Sequence, residues 1–268
     1  MDYLKRELAP VSEAAWKSID DDAIATLSGN LSGRYAVDFD GPHGYQLSSV
    51  NTGRLAAQDS SEYPGIRFGI RRIQPLLEVR ASFRLLTSEL DEAARGAEDL
   101  DTEPVIAAAL RLAEFEERAV YYGLASAGIA GLMGSEAHVA VPLGEHPAAY
   151  PESVARAILR LSEAGIGGPY VLVLESQIYR MLAGDLSAYP PLPSIEKLTG
   201  GPVLHSPVLN GGVVLSRRGG DYRLSVGQDF AIGYQAHDGL SVDLYLTETF
   251  TFRMLAPEAV IRLTRNAS

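Results

Sequence analysis

The sequence predicts an α+β fold, and three observations carry that reading. Apolar residues recur at three- and four-residue spacing in several stretches of the first 165 residues, the mark of helices with one buried face. Two-residue alternation marks a strand at 77–85 and dominates from Val203 onward. No regular βαβ repeat and no internal sequence repeat connects these segments.

Taken in order, Ser12 caps a first helix in which Trp16, Ile19, Ala23 and Leu27 form the apolar stripe, with Gly29 or Gly33 to end it. Gly41-Pro42-His43-Gly44 reads as a turn. A long irregular stretch follows, through Asn51-Thr52-Gly53-Arg54 to Tyr63-Pro64-Gly65, and its polar 48–66 portion reads as a projecting arm. In the next strand Leu77, Val79, Ala81, Phe83 and Leu85 share one face. Thr102 is the expected cap of a helix with Pro104 in its first turn, whose face carries Val105, Ile106, Ala109, Leu112, Ala113, Glu116 and Val120. Glu116 is the anomaly on that stripe; it either pairs with an arginine or sits at the stripe's edge, and the edge is preferred.

Residues 121–133 are small and glycine-rich, 151–164 read as a helix stopped by Gly165, and Tyr170–Leu174 as a buried strand. Gln177–Leu182 reads as a short helix ending at Gly184, and Ser194 as the cap of a brief helix at 195–198. Asn210-Gly211 signals a hairpin and Arg218-Gly219-Gly220-Asp221 a turn. Val242, Leu244 and Leu246 alternate with polar residues, and Phe250, Phe252 and Met254 continue the period in shifted phase. Pro257 interrupts, and Ala259–Leu263 closes the chain.

Composition narrows the function classes. The chain has 268 residues, 46% hydrophobic and 21% charged, enough for a sizeable core. It has no cysteine, so neither a disulfide nor a thiolate zinc site contributes. Its start lacks an apolar signal core and no run approaches the length of a membrane span, so the expected location is the cytoplasm. A net charge of -11 argues against broad nucleic-acid binding. Between Glu89 and Glu117 ten acids face only Arg95 and Arg111, read as a solvated helix and loop surface. Lysine occurs only at Lys5, Lys17 and Lys197 against twenty arginines, a skew that suits a chain with much of its surface in contacts.

No catalytic constellation emerges. No two of His43, His138, His146, His205 and His237 stand at helical metal-ligand spacing, so no metal site is expected. The run Gly128-Ile129-Ala130-Gly131-Leu132-Met133-Gly134 is not a dinucleotide fingerprint and reads as tight turns or close packing. No phosphate loop and no GxSxG elbow is present, and no cofactor is implied. The adjacent carboxylates Asp20-Asp21 and Glu116-Glu117 read as ordinary surface. The loop at 184–191 is turn-rich; around a symmetry axis its Asp185, with Tyr189 nearby, would form a ring of charge able to select small ions.

Several segments then carry a resemblance. They are Leu8-Ala9-Pro10-Val11-Ser12 with Ala15-Trp16, Gly33-Arg34 with Val37-Asp38, Gly41-Pro42-His43-Gly44, Thr52-Gly53-Arg54, and Pro75-Leu76 with Glu78-Val79-Arg80. Near the end come Ser216-Arg217, Val226-Gly227-Gln228-Asp229, Ile232-Gly233-Tyr234 and Phe250-Thr251-Phe252-Arg253. In order and coverage the chain resembles the encapsulin family, the bacterial and archaeal nanocompartment shell proteins once described as linocin-like bacteriocins.

The resemblance implies a fold like that of HK97-type phage coat proteins. On this sequence it places an N-terminal lumen-facing helix and the start of a peripheral domain at 1–47, an extended intersubunit loop at 48–73, and the rest of the peripheral domain at 74–127 with a spine helix at 104–123. An axial domain falls at 128–220, and 221–268 return to the peripheral sheet. It further implies a non-enzymatic subunit of a closed icosahedral compartment (T=1, 60 copies in the simplest case), with pores for small solutes. Cargo such as a dye-decolourising peroxidase or a ferritin-like protein would enter through a C-terminal targeting peptide, linking the shell to oxidative stress defence or iron storage. The implied peptide groove holds Arg34, Asp38 and Phe39 with Asp229 and Ile232 opposite. Some related phage coats crosslink through a loop lysine, which this chain lacks between Lys17 and Lys197. The alternative is a phage or prophage capsid protein packaging nucleic acid; a soluble protease or bacteriocin is a distant third.

Overall fold

Two five-stranded sheets share the chain between them, each with its own helices. The computed structural model describes residues 3–58, 65–185, 187 and 189–265. The tip of the expected arm at 59–64, two residues of the 184–191 loop, and the extreme termini lie outside the described residues.

The helices are α1 (Glu13–Ser28), α2 (Ser32–Ala36), α3 (Thr87–Ala94), α4 (Glu103–Tyr121), α5 (Tyr150–Glu163), α6 (Ser176–Ala183) and α7 (Pro191–Thr199). The strands are β1 (Asp38–Asp40), β2 (Ser49–Gln58), β3 (Phe68–Pro75), β4 (Leu77–Leu86), β5 (Gly123–Leu124), β6 (Ile129–Ala130), β7 (Val141–Pro142), β8 (Tyr170–Glu175), β9 (Val203–Ser206), β10 (Gly212–Ser216), β11 (Tyr222–Val226), β12 (Ala231–His237), β13 (Ser241–Met254) and β14 (Val260–Thr264).

The first sheet is built on β13. Its N-terminal part is flanked by β4 and β12, both antiparallel, and its C-terminal end pairs with β11, which in turn pairs in parallel with β1. Helices α1, α3 and α4 cover it. The stripe of α1 is Ala15, Ile19, Ala23 and Leu27; Trp16 stands at its edge, half-buried beneath the Arg6 guanidinium at 3.9 Å from the ring centroid. Ser12 accepts the Ala15 N–H at 3.2 Å, and Gly29 ends the helix. Phe83, Leu85, Val242, Leu244, Leu246 and Ile232 meet this stripe and that of α4 in one core. Each buried leucine or isoleucine here contributes about 1.5–3 kcal/mol.

The second sheet runs β7-β14-β10-β8-β9 and packs with α5, α6 and α7 around a larger core. Its fully buried β8 matches the continuous apolar run of its sequence.

Several expectations are corrected. The irregular arm is a β-ribbon: β2 and β3 pair antiparallel, with a register shift between Asn51 and Leu55 that hid the strand period. The segment 41–44 forms no turn of its own; its His43 and Gly44 N–H groups donate to Val226 and Gly227, and the turn falls at 45–46. Gly41 lies at φ +153° with a Cβ position only 2.5 Å from the Val226 carbonyl oxygen, so no side chain fits there. Thr102 stands at the N-cap position of α4 as expected, but its hydroxyl donates to Asp22 of α1 instead of capping the helix. Helix α7 starts at Pro191, which places Ser194 inside it rather than before it. Asn210-Gly211 joins no hairpin, because β8 lies between β9 and β10. β13 is a single strand in one phase; Glu248 interrupts the apolar series and mimics a shift. The closing β14 pairs with β10 and β7 in the second sheet, not in the first. In the glycine-rich stretch, a Cβ on Gly131 would lie 2.2 Å from the Gly123 nitrogen, so close packing accounts for that glycine.

Candidate functional site

A groove of about 470 Å³ opens where α1 and α2 meet the start of β1 and the β11–β12 connection. Its walls are Ile24, Leu27 and Leu31 on one side and Phe39 and Phe230 on the other, with Tyr35, Arg34 and Asp229 at the polar end. Ile24 (62% exposed), Tyr35 (57%) and Phe39 (38%) leave apolar surface facing solvent.

The polar end is anchored from inside. Arg34 projects from α2 with its side chain only 15% exposed. Its Nε donates to both Glu116 oxygens at 3.0–3.1 Å, one Nη donates to Glu116 at 2.8 Å and to Glu248 at 2.5 Å, and the other donates to Asp229 at 2.8 Å. The guanidinium carbon also lies 4.5 Å from the Phe230 ring centroid and 5.1 Å from that of Phe39. Glu116 and Glu248 are fully buried, whereas Asp229 is 38% exposed on its side chain. Burial alone would lower the Arg34 pKa, but the hydrogen bonds and charge of Glu116, with Glu248 and Asp229, outweigh it and raise it.

Two buried carboxylates beside one guanidinium cannot both ionise cheaply. Burial, and then the Glu116 charge, push the Glu248 carboxyl well above the usual range. Glu248 Oε1 accepts from Arg34, and its Oε2 has no hydrogen-bond partner among the described residues. The groove therefore ends in a fixed cation held by Glu116 and Asp229, with Asp229 as its solvent-facing acid.

Glu117, one residue on, points about 100° around the helix and serves a different junction. It accepts the Gly33 N–H at 2.6 Å, the Ser32 hydroxyl at 2.6 Å and the Ser206 hydroxyl at 2.5 Å, tying α4 and α2 to β9 of the second sheet. Tyr121 shares the Ser32 hydroxyl at 2.7 Å. Burial raises Glu117 to about 7, against the opposing pull of those hydrogen bonds. The surface reading of Glu116-Glu117, and the stripe-edge reading of Glu116, are thus overturned: both carboxylates are buried because each has polar partners from distant segments.

Of the residues expected around a groove, the structure brings together Arg34, Phe39 and Asp229. Asp38 lines another cavity, where its carboxylate accepts the Gly220 N–H at 2.6 Å, as alternation along β1 requires once Phe39 faces the groove. Ile232 is 3% exposed and belongs to the core beneath. Sequence reasoning missed Ile24, Leu31, Tyr35 and Phe230. Ile24 had a signal, as an isoleucine off the buried stripe of α1. Asp185 accepts the Ser187 N–H at 2.8 Å, which holds its carboxyl below the usual range, and Tyr189 is 92% exposed. Among the described residues no group of three or more potential metal ligands converges, and no helix is long and apolar enough to cross a membrane.

A family model described as "encapsulating protein for peroxidase" matches residues 1–251. A type 1 encapsulin shell protein of Rhodospirillum rubrum is 42% identical, with 98% of this chain and 96% of that protein covered. Another, of Mycobacterium tuberculosis, is 37% identical over 98% of this chain and all of that protein. Among solved structures, a virus-like particle from Pyrococcus furiosus superposes with a TM-score of 0.66 at 15% identity, covering 92% of this chain and 98% of that one. The capsid of the myovirus phage XM1 does so at 0.60 and 12%, covering 88% and 92%. At such identities these two matches show the fold alone, an α+β fold related to that of HK97-like capsids.

Proposed function

The chain belongs to the encapsulin family of shell proteins, and on that premise we propose that it is a non-catalytic structural subunit that self-assembles into a closed cytoplasmic nanocompartment. In this reading the shell is icosahedral, with T=1 and 60 copies as the expected size. The groove between α1 and the first sheet receives a C-terminal peptide of a cargo enzyme, such as a dye-decolourising peroxidase or a ferritin-like protein. Through that cargo the shell serves oxidative stress defence or iron storage.

The observation that supports the groove assignment most directly is its open apolar trough ending in an internally fixed Arg34. A peptide gains burial against Ile24, Phe39 and Phe230 and polar pairing at Asp229, while the groove's own charges are already oriented. The ribbon β2–β3 corresponds to the extended loop and α4 to the spine helix. The second sheet with α5, α6 and α7 makes up most of the axial domain, and its loop with Asp185 and Tyr189 is assigned to the rim of a small-solute pore.

Negative-stain microscopy and mass measurement of purified protein test the shell: closed, monodisperse particles are expected, and a stable monomer at working concentration refutes it. Native particles are expected to hold a cargo enzyme and no nuclease-protected nucleic acid. For the groove, Ile24→Asp is expected to lower cargo content several-fold with particles intact. Cargo loading equal to wild type removes the groove assignment.

A further inference from the structure

The groove has a neighbour on the far side of Tyr35. A recess of about 170 Å³ lies there, and it shares Ser28, Leu31 and Tyr35 with the groove. Its other wall comes from the second sheet, through Val203, Leu204 and His205 of β9 and Tyr179 of α6. Glu117 pins one end of the gap, accepting the Ser32 hydroxyl of α2 at 2.6 Å and the Ser206 hydroxyl of β9 at 2.5 Å. The His205 ring stands against α6, 5.0 Å from the Tyr179 ring and with Nδ1 3.3 Å from the Ser176 hydroxyl.

What β9 presents to this recess is a strand edge. Among the described residues β9 ends the second sheet, pairing in parallel with β8 alone. Val203 stands opposite Leu172, whose N–H donates to the Pro202 carbonyl at 3.2 Å. In a parallel ladder that pattern turns the Leu204 N–H and C=O towards β8 and those of Val203 and His205 outward. The outward groups have no backbone hydrogen-bond partner among the described residues. Three consecutive residues of β9 border the recess, as a strand's edge does; a strand's face would show every second one.

Resting on the groove reading above, we propose that the cargo's C-terminal peptide runs on past Tyr35 and adds itself as a strand to the free edge of β9. An unpaired edge offers alternating N–H and C=O groups, which fit an extended backbone. The recess is too narrow for the folded surface of a second copy. It adjoins the groove, so the chain that fills the groove is the one within reach. Side chains are then read against Ile24, Phe39 and Phe230, while β9 holds the backbone whatever its sequence. Because Glu117 fixes both walls beforehand, little ordering of the shell subunit is needed on binding.

The two-residue period of a strand supplies the test. The probe is a set of fluorophore-labelled peptides matching the C-terminal tail of the cargo enzyme recovered from native particles, present while empty particles assemble. Single N-methylation along the stretch beyond the groove is expected to lower peptide content about fivefold at every second amide and to leave the amides between within about twofold. This scan leaves the shell protein unaltered, so folding does not enter. His205→Pro removes an outward N–H and spares the bonds to β8, as an edge position allows. Its particles are expected to hold about fivefold less peptide than those of His205→Ala, which loses the same ring but keeps the N–H. Losses without a two-residue period, or His205→Pro particles as full as His205→Ala ones, overturn the inference. Ile24→Asp separates it from the reading it rests on. If that variant loses the peptide while the scan is flat, the groove stands and the β9 docking falls. If it keeps the peptide, the groove reading itself falls.

Discussion

Arg34→Ala would remove five hydrogen bonds and two ring contacts at once, and what it leaves behind matters more than what it takes away. Glu116 and Glu248 remain fully buried with no cation between them. The two carboxyls then share a dry site with no countercharge beside them, which leaves buried charge uncompensated. Removing one partner of a buried ion pair costs roughly 3–5 kcal/mol. A buried carboxyl with no cation beside it favours its protonated form, so the variant's folded state gains relative stability as pH falls. The deficit is therefore largest at neutral pH and shrinks at lower pH, where buried carboxyls are neutralised. Thermal melting of empty particles at matched concentration checks this: a loss of about 7–14 °C is expected at pH 7, and a much smaller one at pH 5. A variant melting within about 2 °C of wild type at both pH values refutes the buried-clamp reasoning. The same argument means that cargo lost from Arg34→Ala says nothing about peptide contact, so Ile24 is the better probe of the groove.

Glu117 titrates with the same sign for a different reason. Its folded value near 7 exceeds the unfolded one, so its contribution is full below about pH 4.3 and lost as pH climbs through about 7. Glu117→Gln is expected to flatten that part of the stability profile, read by denaturant unfolding at pH 5 and 8; an unchanged slope refutes it. Asp185→Asn removes an exposed charge held by one backbone bond, so stability should stay within about 0.5 kcal/mol while cation entry into particles slows. Unchanged flux makes that loop a turn and nothing more. Arg34→Met with Glu116→Leu and Glu248→Leu replaces the buried charges by apolar groups of similar volume, and is expected to melt at or above the wild-type temperature. Its cargo content should nonetheless fall, because Asp229 is no longer held.

Much of the fold was legible because helices with one buried face and half-buried strands print their periods on the chain. The stripe Ile19, Ala23, Leu27 and the apolar run of β8 up to Leu174 are examples. What failed was whatever depends on a partner distant in sequence. Glu116 on an apolar stripe looked like an edge residue because Arg34, 82 positions earlier, is not visible from the helix. Asn210-Gly211 has hairpin chemistry, yet β8 inserts between the strands it joins. The groove was half legible for the same reason. Arg34 and Asp229 came with family motifs and Phe39 with the groove that the resemblance implies, but Tyr35 and Phe230 became wall residues only once α2 was placed against the β11–β12 connection.

Both buried carboxylates of α4 mark the place where sequence and function meet. Hydrophobic packing alone would hold α2 against α4 but would leave its rotation soft, since apolar contacts are non-directional. Glu116 and Glu117, about 100° apart, remove that freedom from two sides. One fixes Arg34 and through it Asp229; the other fixes the Gly33 N–H and the hydroxyls of Ser32 and Ser206. Buried ion pairs are poor stabilisers, so their value here is positional. They set the depth of the groove from within the core, and through Ser206 they register the first sheet against the second. A shell that must repeat one geometry in every copy gains from a joint that tolerates only one arrangement. The apolar triple variant separates stability from position on the Arg34 side alone, because it keeps the packing, gives up the hold on Asp229 and leaves the Glu117 bonds in place.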